Sequence, residues 1–168
     1  GAGTRGIQVT SPTSVTVEGC EIYGLDTGIE AGTGSGAKLT IKDTTVRDNL
    51  TNGIFLCSSV KAVLRNVNVL NNGQAGLSNF GASATISGSS LVANGTGLSV
   101  DAAFVVSSQV MVTGTSISGN TTGIAVTSQG GASSQLTLAT SAITQNATGV
   151  TLSGAGATAF TRGNNAFR

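Results

Sequence analysis

Histidine and tryptophan are absent from this 168-residue chain, proline occurs once, cysteine twice, and only 9% of the residues are charged. Each shortage removes a class of protein. Without histidine the chain lacks the commonest general base and metal ligand. Cys20 and Cys57 have no zinc-ligand spacing. With so little Glu, Lys and Arg, the solvent face of an amphipathic helix has nothing to be built from. A formal net charge of +1 supplies no field for nucleic acid or anionic lipid, and no apolar run is long enough to span a bilayer. Disorder is excluded from the other side, because 39% of the residues are hydrophobic. What the chain does have is 25 glycines, with Ser, Thr and Asn at the polar positions. That composition belongs to an all-β chain with many turns, and the length to a single domain over 1–168.

An internal repeat sets the architecture. Gly followed by an aliphatic residue recurs at Gly6-Ile7, Gly28-Ile29, Gly53-Ile54, Gly76-Leu77, Gly97-Leu98, Gly123-Ile124 and Gly149-Val150, at intervals of 21 to 26 residues. Between these landmarks runs a second template: two apolar residues separated by one, a small residue three later, an aliphatic two after that, and an Asn three further on. Leu39, Ile41, Thr44, Val46 and Asn49 form one copy, and Val110, Val112, Thr115, Ile117 and Asn120 another. Each unit holds three short runs of period two. Strands this short are stable only if each pairs with its own copy in the next unit, about 4.8 Å away. The reading is an all-β, single-chain parallel β-helix of about seven coils, with repeats over 6–152 and an irregular end at 153–168, where Phe160 and Phe167 are expected to fold over the core. Length variation falls after the Gly-Ile-x-Val strand, at 101–109 and 127–135, placing the loops on one edge, where a binding groove is expected.

The repeat resembles that of right-handed parallel β-helix proteins of the pectate-lyase-like superfamily, and within it bacterial repeat proteins without assigned activity. Handedness follows from the resemblance. So does a structural asparagine ladder in the shortest turn, here Asn49, Asn72, Asn94, Asn120 and Asn146. Such a turn needs a residue that tolerates the left-handed conformation and an amide that bonds its copies above and below. Four of these asparagines also match the glycosylation acceptor pattern, but a stacked inward Asn cannot accept a glycan. Cys20 falls in the small inward column with Thr44, Ser89 and Thr115; Cys57 lies two coils away, beyond disulfide reach.

Enzymes of the resembled superfamily act on acidic polysaccharides from the outward face of the first strand of each coil. The hydrolase and lyase elements that the resemblance would carry are missing here, as is histidine. The outward positions are Thr16 and Glu18, Thr40 and Lys42, Val63 and Arg65, Thr85 and Ser87, Met111 and Thr113, Thr137 and Ala139. Only Glu18, Lys42, Asp43 and Arg65 make a charged patch there, and alternating signs read more simply as solvated cross-strand pairs than as an acid–base pair. The Thr column is broken by Val63 and Met111, which weighs against an ice-ordering ladder.

Twelve of the fifteen charges lie between Arg5 and Arg65. The sequence therefore supports a non-catalytic structural or binding module, a scaffold or stalk without cofactor or metal. Its expected partners are carbohydrate or further copies of itself through the solenoid ends, with no nucleic acid and no membrane insertion. The alternative is a carbohydrate-acting enzyme of lyase or hydrolase type, or a degenerate relative. Arg5 near one end and Arg162 and Arg168 near the other oppose an open fibre. The resemblance favours a secreted or envelope-associated location, and the chain reads as a piece of a longer solenoid or a self-associating one.

Overall fold

The computed structural model describes residues 3–10, 14–32, 36–102 and 105–168. All regular structure among them is β-strand, and every strand pairing is parallel. Two curved sheets enclose the core. The third strands of the coils, from Arg5–Val9 and Thr27–Ala31 through Thr96–Ala102 to Thr148–Ser153, form a seven-stranded sheet. First and second strands together form a twelve-stranded sheet, in which Lys38–Arg47 and Lys61–Leu70 run unbroken through the corner between the two positions. The first and last third strands are six turns apart along this solenoid. The described parts of the variable loops all join a third strand to the next first strand, so they do lie along one edge; residues 103–104 of the 101–109 insert lie outside the described residues.

The register is the one the repeat dictates. Val17, Ile41, Leu64, Ile86, Val112 and Leu138 stack as direct partners. Ile22, Val46, Val69, Leu91, Ile117 and Ile143 do the same on the second strand. All twelve are buried. A fully buried aliphatic side chain of this size contributes about 1.5–3 kcal/mol, and stacking lets strands of three residues collect that contribution from both neighbours.

Close approach, not backbone freedom, explains the recurring glycine of the Gly-aliphatic landmark. A Cβ at Gly76 would stand 2.9 Å from the carbonyl oxygen of Gly97 and 2.8 Å from Asn94 Nδ2, and the same clash recurs from Gly28 to Gly123. The glycines make room for the next coil's carbonyl and for the asparagine ladder.

Two expectations need correction. The left-handed residue of the asparagine turn is not the ladder Asn but the one before it: Gly24, Asp48, Asn71, Ala93, Gly119 and Gln145 all have positive φ. The ladder side chain must point inward to bond its copies, and the residue that reverses the chain is its outward neighbour. Nor is the C-terminal stretch irregular. Ala157–Arg162 pairs with Ser134–Ala139 and Ala166–Phe167 with the strand Ala142–Thr144. Phe167 stacks over Ile143, which is 1% exposed, and so covers the end of that core column with its own outer side 49% exposed; Phe160 lies in an outward column at 53% and covers none of the core.

Candidate functional site: the first-strand face

Alternation along the first strands turns three columns of side chains outward. One runs Lys38, Lys61, Ser83, Gln109 and Gln135, and the next Thr40, Val63, Thr85, Met111 and Thr137. Between them lies a groove of about 320 Å³, with Lys61, Ser83, Thr85, Gln109 and Met111 in its lining. Lys38 and Lys61 are direct neighbours in the ladder, both exposed, and neither has a carboxylate partner among the described residues. Sequence reading missed both. Their signal was their place immediately before the first apolar residue of the template, in Lys38-Leu39 and Lys61-Ala62.

The third outward column is Glu18, Lys42, Arg65 and Ser87. Three members of the expected patch therefore share one line, and Lys42 Nζ meets Glu18 Oε1 at 2.7 Å. Asp43 stands apart from them. It occupies the left-handed corner position with φ 49° and accepts a 2.7 Å hydrogen bond from Asn66 Nδ2. The patch is thus an ion pair with a neighbouring guanidinium, and its second carboxylate has turned the corner.

The asparagine ladder is continuous. Asn94 Nδ2 donates to the carbonyls of Val69 and Val92 and to Asn120 Oδ1, while Asn94 Oδ1 accepts from the Asn72 backbone N–H and from Asn72 Nδ2. Asn49, Asn72 and Asn120 repeat the ladder bonds and are buried; Asn146 closes the series, half-buried. A second ladder runs in the other short corner. Thr44, Ser89, Thr115 and Ser141 each donate to the carbonyl two residues earlier, and all four accept from a backbone N–H of the preceding coil. Cys20 heads this column with Sγ toward the Glu18 carbonyl at 3.3 Å, exposed because no described coil covers it. Cys57 is half-buried on the seven-stranded face beside Phe80, and both thiols are free.

At the second-strand corner ionisation is displaced. There the Glu21 carboxylate and then Asp48 raise the Arg47 guanidinium, and the Asn71 amide, followed by Arg47, holds the Asp48 carboxyl below the usual carboxylate range. Arg47 also lies 4.4 Å from the centre of the Tyr23 ring. Among the described residues there is no group of three or more Cys, Asp or Glu side chains that could hold a metal ion, and no helix long and apolar enough to cross a membrane.

A stacked asparagine corner, three parallel strands per coil and loops on one edge define a parallel β-solenoid. Comparison extends this to a family. A profile described as "Right handed beta helix region" matches residues 5–167, and the chain belongs to that family. No curated protein matches it in sequence. Among solved structures it is similar to the A-module of Azotobacter vinelandii mannuronan C-5 epimerase AlgE6, with TM-score 0.59, 19% identity, and coverage of 83% of this chain and 44% of that one. The AlgE4 A-module from the same organism gives TM-score 0.59, 18% identity, and coverage of 83% and 46%. The chain thus spans less than half the length of either module, and the likeness shows a shared fold.

Proposed function

We propose that this chain is a non-catalytic β-solenoid module, a rigid scaffold that offers its first-strand groove to an acidic polysaccharide. The observation that carries the reading is the pair of stacked, unpartnered lysines at one side of an otherwise uncharged groove. A chain of carboxylated sugars would lie along the solenoid axis, its anions beside Lys38 and Lys61 and its hydroxyls over Ser83, Thr85 and Gln109. The two epimerase modules of the same fold, named for mannuronan, add support for a polysaccharide partner. Against catalysis stands the chemistry of the lining. Lys61 is the ionisable group in the groove, and the nearby acids are engaged, Glu18 by Lys42 and Asp43 by Asn66.

Binding of alginate measured at low salt tests this reading, alongside assays for unsaturated and reducing-end products. Replacing Lys38 and Lys61 by Ser should weaken binding about tenfold, and added salt should weaken it further. Joint replacement of Glu18, Lys42, Asp43 and Arg65 by Ser removes two charges of each sign, so it should leave affinity unchanged. Product formation by the unsubstituted chain would overturn the non-catalytic reading.

A second reading, end-to-end self-association, gains support from the column that begins at Glu18. Followed coil by coil it ends at Arg162. Stacking one copy's last coil on another's first would continue that column with Arg162 beside Glu18, an attraction that the tally of terminal arginines alone does not show. Light scattering over a concentration series tests it, and Glu18→Lys should abolish any growth in mass.

A further inference from the structure

We propose a second binding site, on the seven-stranded face, that takes an uncharged glycan. It is independent of the first-strand reading. Where the asparagine corner opens onto the third strands there is a hollow of about 460 Å³, with Asn52, Gln74, Ser78, Thr96, Ser99 and Thr122 in its lining and no charged residue. Asn52 and Gln74 come from successive coils. Unlike the ladder asparagines, neither uses its side-chain amide in any hydrogen bond within the described chain, and the same holds for the hydroxyls of Ser78, Thr96 and Thr122. Each free amide offers two donors and an acceptor, and each hydroxyl one donor and two lone pairs. Their backbone neighbours are already consumed by the coil-to-coil ladder, so the unused capacity faces outward. Gln74 N–H donates to the Thr51 carbonyl and Thr96 N–H to the Gln74 carbonyl.

Two aromatic rings flank these groups. Phe55 is the direct ladder partner of Ser78 and points outward, half-buried. Phe80 lies two residues beyond Ser78 on the same side of its strand and is 38% exposed. A pyranose ring has both faces of this chemistry: an apolar C–H side that lies on an aromatic ring, and equatorial hydroxyls that both donate and accept. Other ligand classes fit less well. An extended peptide would need unpaired strand edges, and here the backbone is paired on both sides. Polyanions find no cation in the lining. They would also meet Asp101, the ladder neighbour of Phe80, whose carboxylate holds the Ser99 hydroxyl at 2.6 Å. Charge therefore sorts the two faces: lysines at the first-strand groove, and beside the third-strand hollow the carboxylates of Asp101, next to Phe80, and of Glu30, next to Phe55 and paired with Arg5.

The chain contains no tryptophan, so Phe55→Trp places a single indole reporter at the rim of the hollow. That variant is titrated with uncharged gluco-, manno- and galacto-oligosaccharides and, as the charged arm, with alginate oligosaccharides; calorimetry on the unsubstituted chain runs in parallel. One uncharged series should shift the emission at micromolar to millimolar concentration, and about 0.5 M salt should leave the response intact. Asn52→Ala with Gln74→Ala should weaken it about tenfold or more without moving the melting temperature, because neither side chain holds the fold together. Lys61→Ser should have no effect. Absence of any uncharged ligand in both measurements would overturn the proposal, as would a response that survives the double substitution or prefers alginate. A response lost in Lys61→Ser would assign the ligand to the first-strand groove instead, whereas failure of alginate binding alone would leave this site standing.

Discussion

Residues 5–65 carry twelve of the chain's fifteen charges and residues 66–161 carry Asp101 alone, yet the interior columns pass from one region to the other without a change of character. In the charged coils the left-handed corner residues reach along the surface to one another: Asn66 Nδ2 to Asp43 Oδ1 and Asn71 Nδ2 to Asp48 Oδ1, each at 2.7 Å. Arg47 adds a 2.8 Å bond to Glu21. In the neutral coils the same corner positions are Gly88, Gly114 and Thr140 on one edge and Ala93, Gly119 and Gln145 on the other. The backbone adopts the same conformation with or without the external bridges. Exposed pairs of this kind are worth little, so stability resides in the inward ladders, and the exterior is left free to differ in what it contacts.

The hardest test of that comparison removes a ladder residue from each region. Asn94→Ala leaves the Asn72 N–H without its acceptor in a buried corner and takes one donor from the Val69 and Val92 carbonyls, the latter keeping the Asn71 N–H, and should cost about 1–3 kcal/mol. Asn72→Ala, in the last charged coil with Lys61 and Arg65, should cost as much. Urea or thermal unfolding of the two variants settles it, and a markedly milder effect in either region would show that surface charge shares the load. The glycine column gives an effect of similar size. Gly97→Ala drives a Cβ to 2.7 Å from both the Gly123 carbonyl oxygen and Ile117 Cγ2, and Gly53→Ala to 2.6 Å from Val69 Cγ1. Each should cost about 2 kcal/mol, again equally in the two regions.

The interior was legible because the repeat writes it out several times: the aliphatic columns, the small corner residue and the asparagine each keep their place while loop lengths vary. The physical role of the glycine landmark was not, because a close approach involves the next coil and no single unit contains both partners. The left-handed corner residue escaped for a different reason. Gly24, Asp48, Asn71, Ala93 and Gln145 share a backbone conformation and no side-chain chemistry. At the C-terminal end, Asn165 supplies its Oδ1 to the Ser141 N–H where a Ser or Thr would stand in other coils, so the register persists after the sequence pattern has lapsed. The two surface sites were the least legible. Lys38 with Lys61, and Asn52 with Gln74, become neighbours only through the coil register, and neither pair belongs to a motif.

Thr140 offers a gain in the neutral coils. It is a β-branched residue with φ 47°, at a corner where the two preceding coils have Gly88 and Gly114. Left-handed backbone costs a residue with a Cβ roughly 1–2 kcal/mol. Thr140→Gly should therefore raise stability by about 1 kcal/mol, part of the relief being offset by the greater freedom of glycine in the unfolded chain. A lower melting temperature in this variant would mean that the Thr140 side chain makes up its strain elsewhere.

The smallest effect separates the regions by acid. The Asp48 carboxyl is held below the usual carboxylate range, first by the Asn71 amide and then by Arg47. A group whose folded-state pKa is depressed lends stability above its unfolded pKa and loses it as the pH falls through the folded value. That contribution is fully present at neutral pH and should disappear in the acid window below the ordinary Asp titration. Because Asp48 lies on the surface the loss is small, and salt should shrink it further. Asp48→Asn keeps an acceptor for Asn71 and removes the titrating group, so its melting temperature should fall less than that of the parent chain over the same acid range. The two acid profiles should then differ at low ionic strength and converge in high salt. Parallel profiles at low salt would show that the bridged corners of the charged coils contribute no more than the bare glycine corners of the neutral ones.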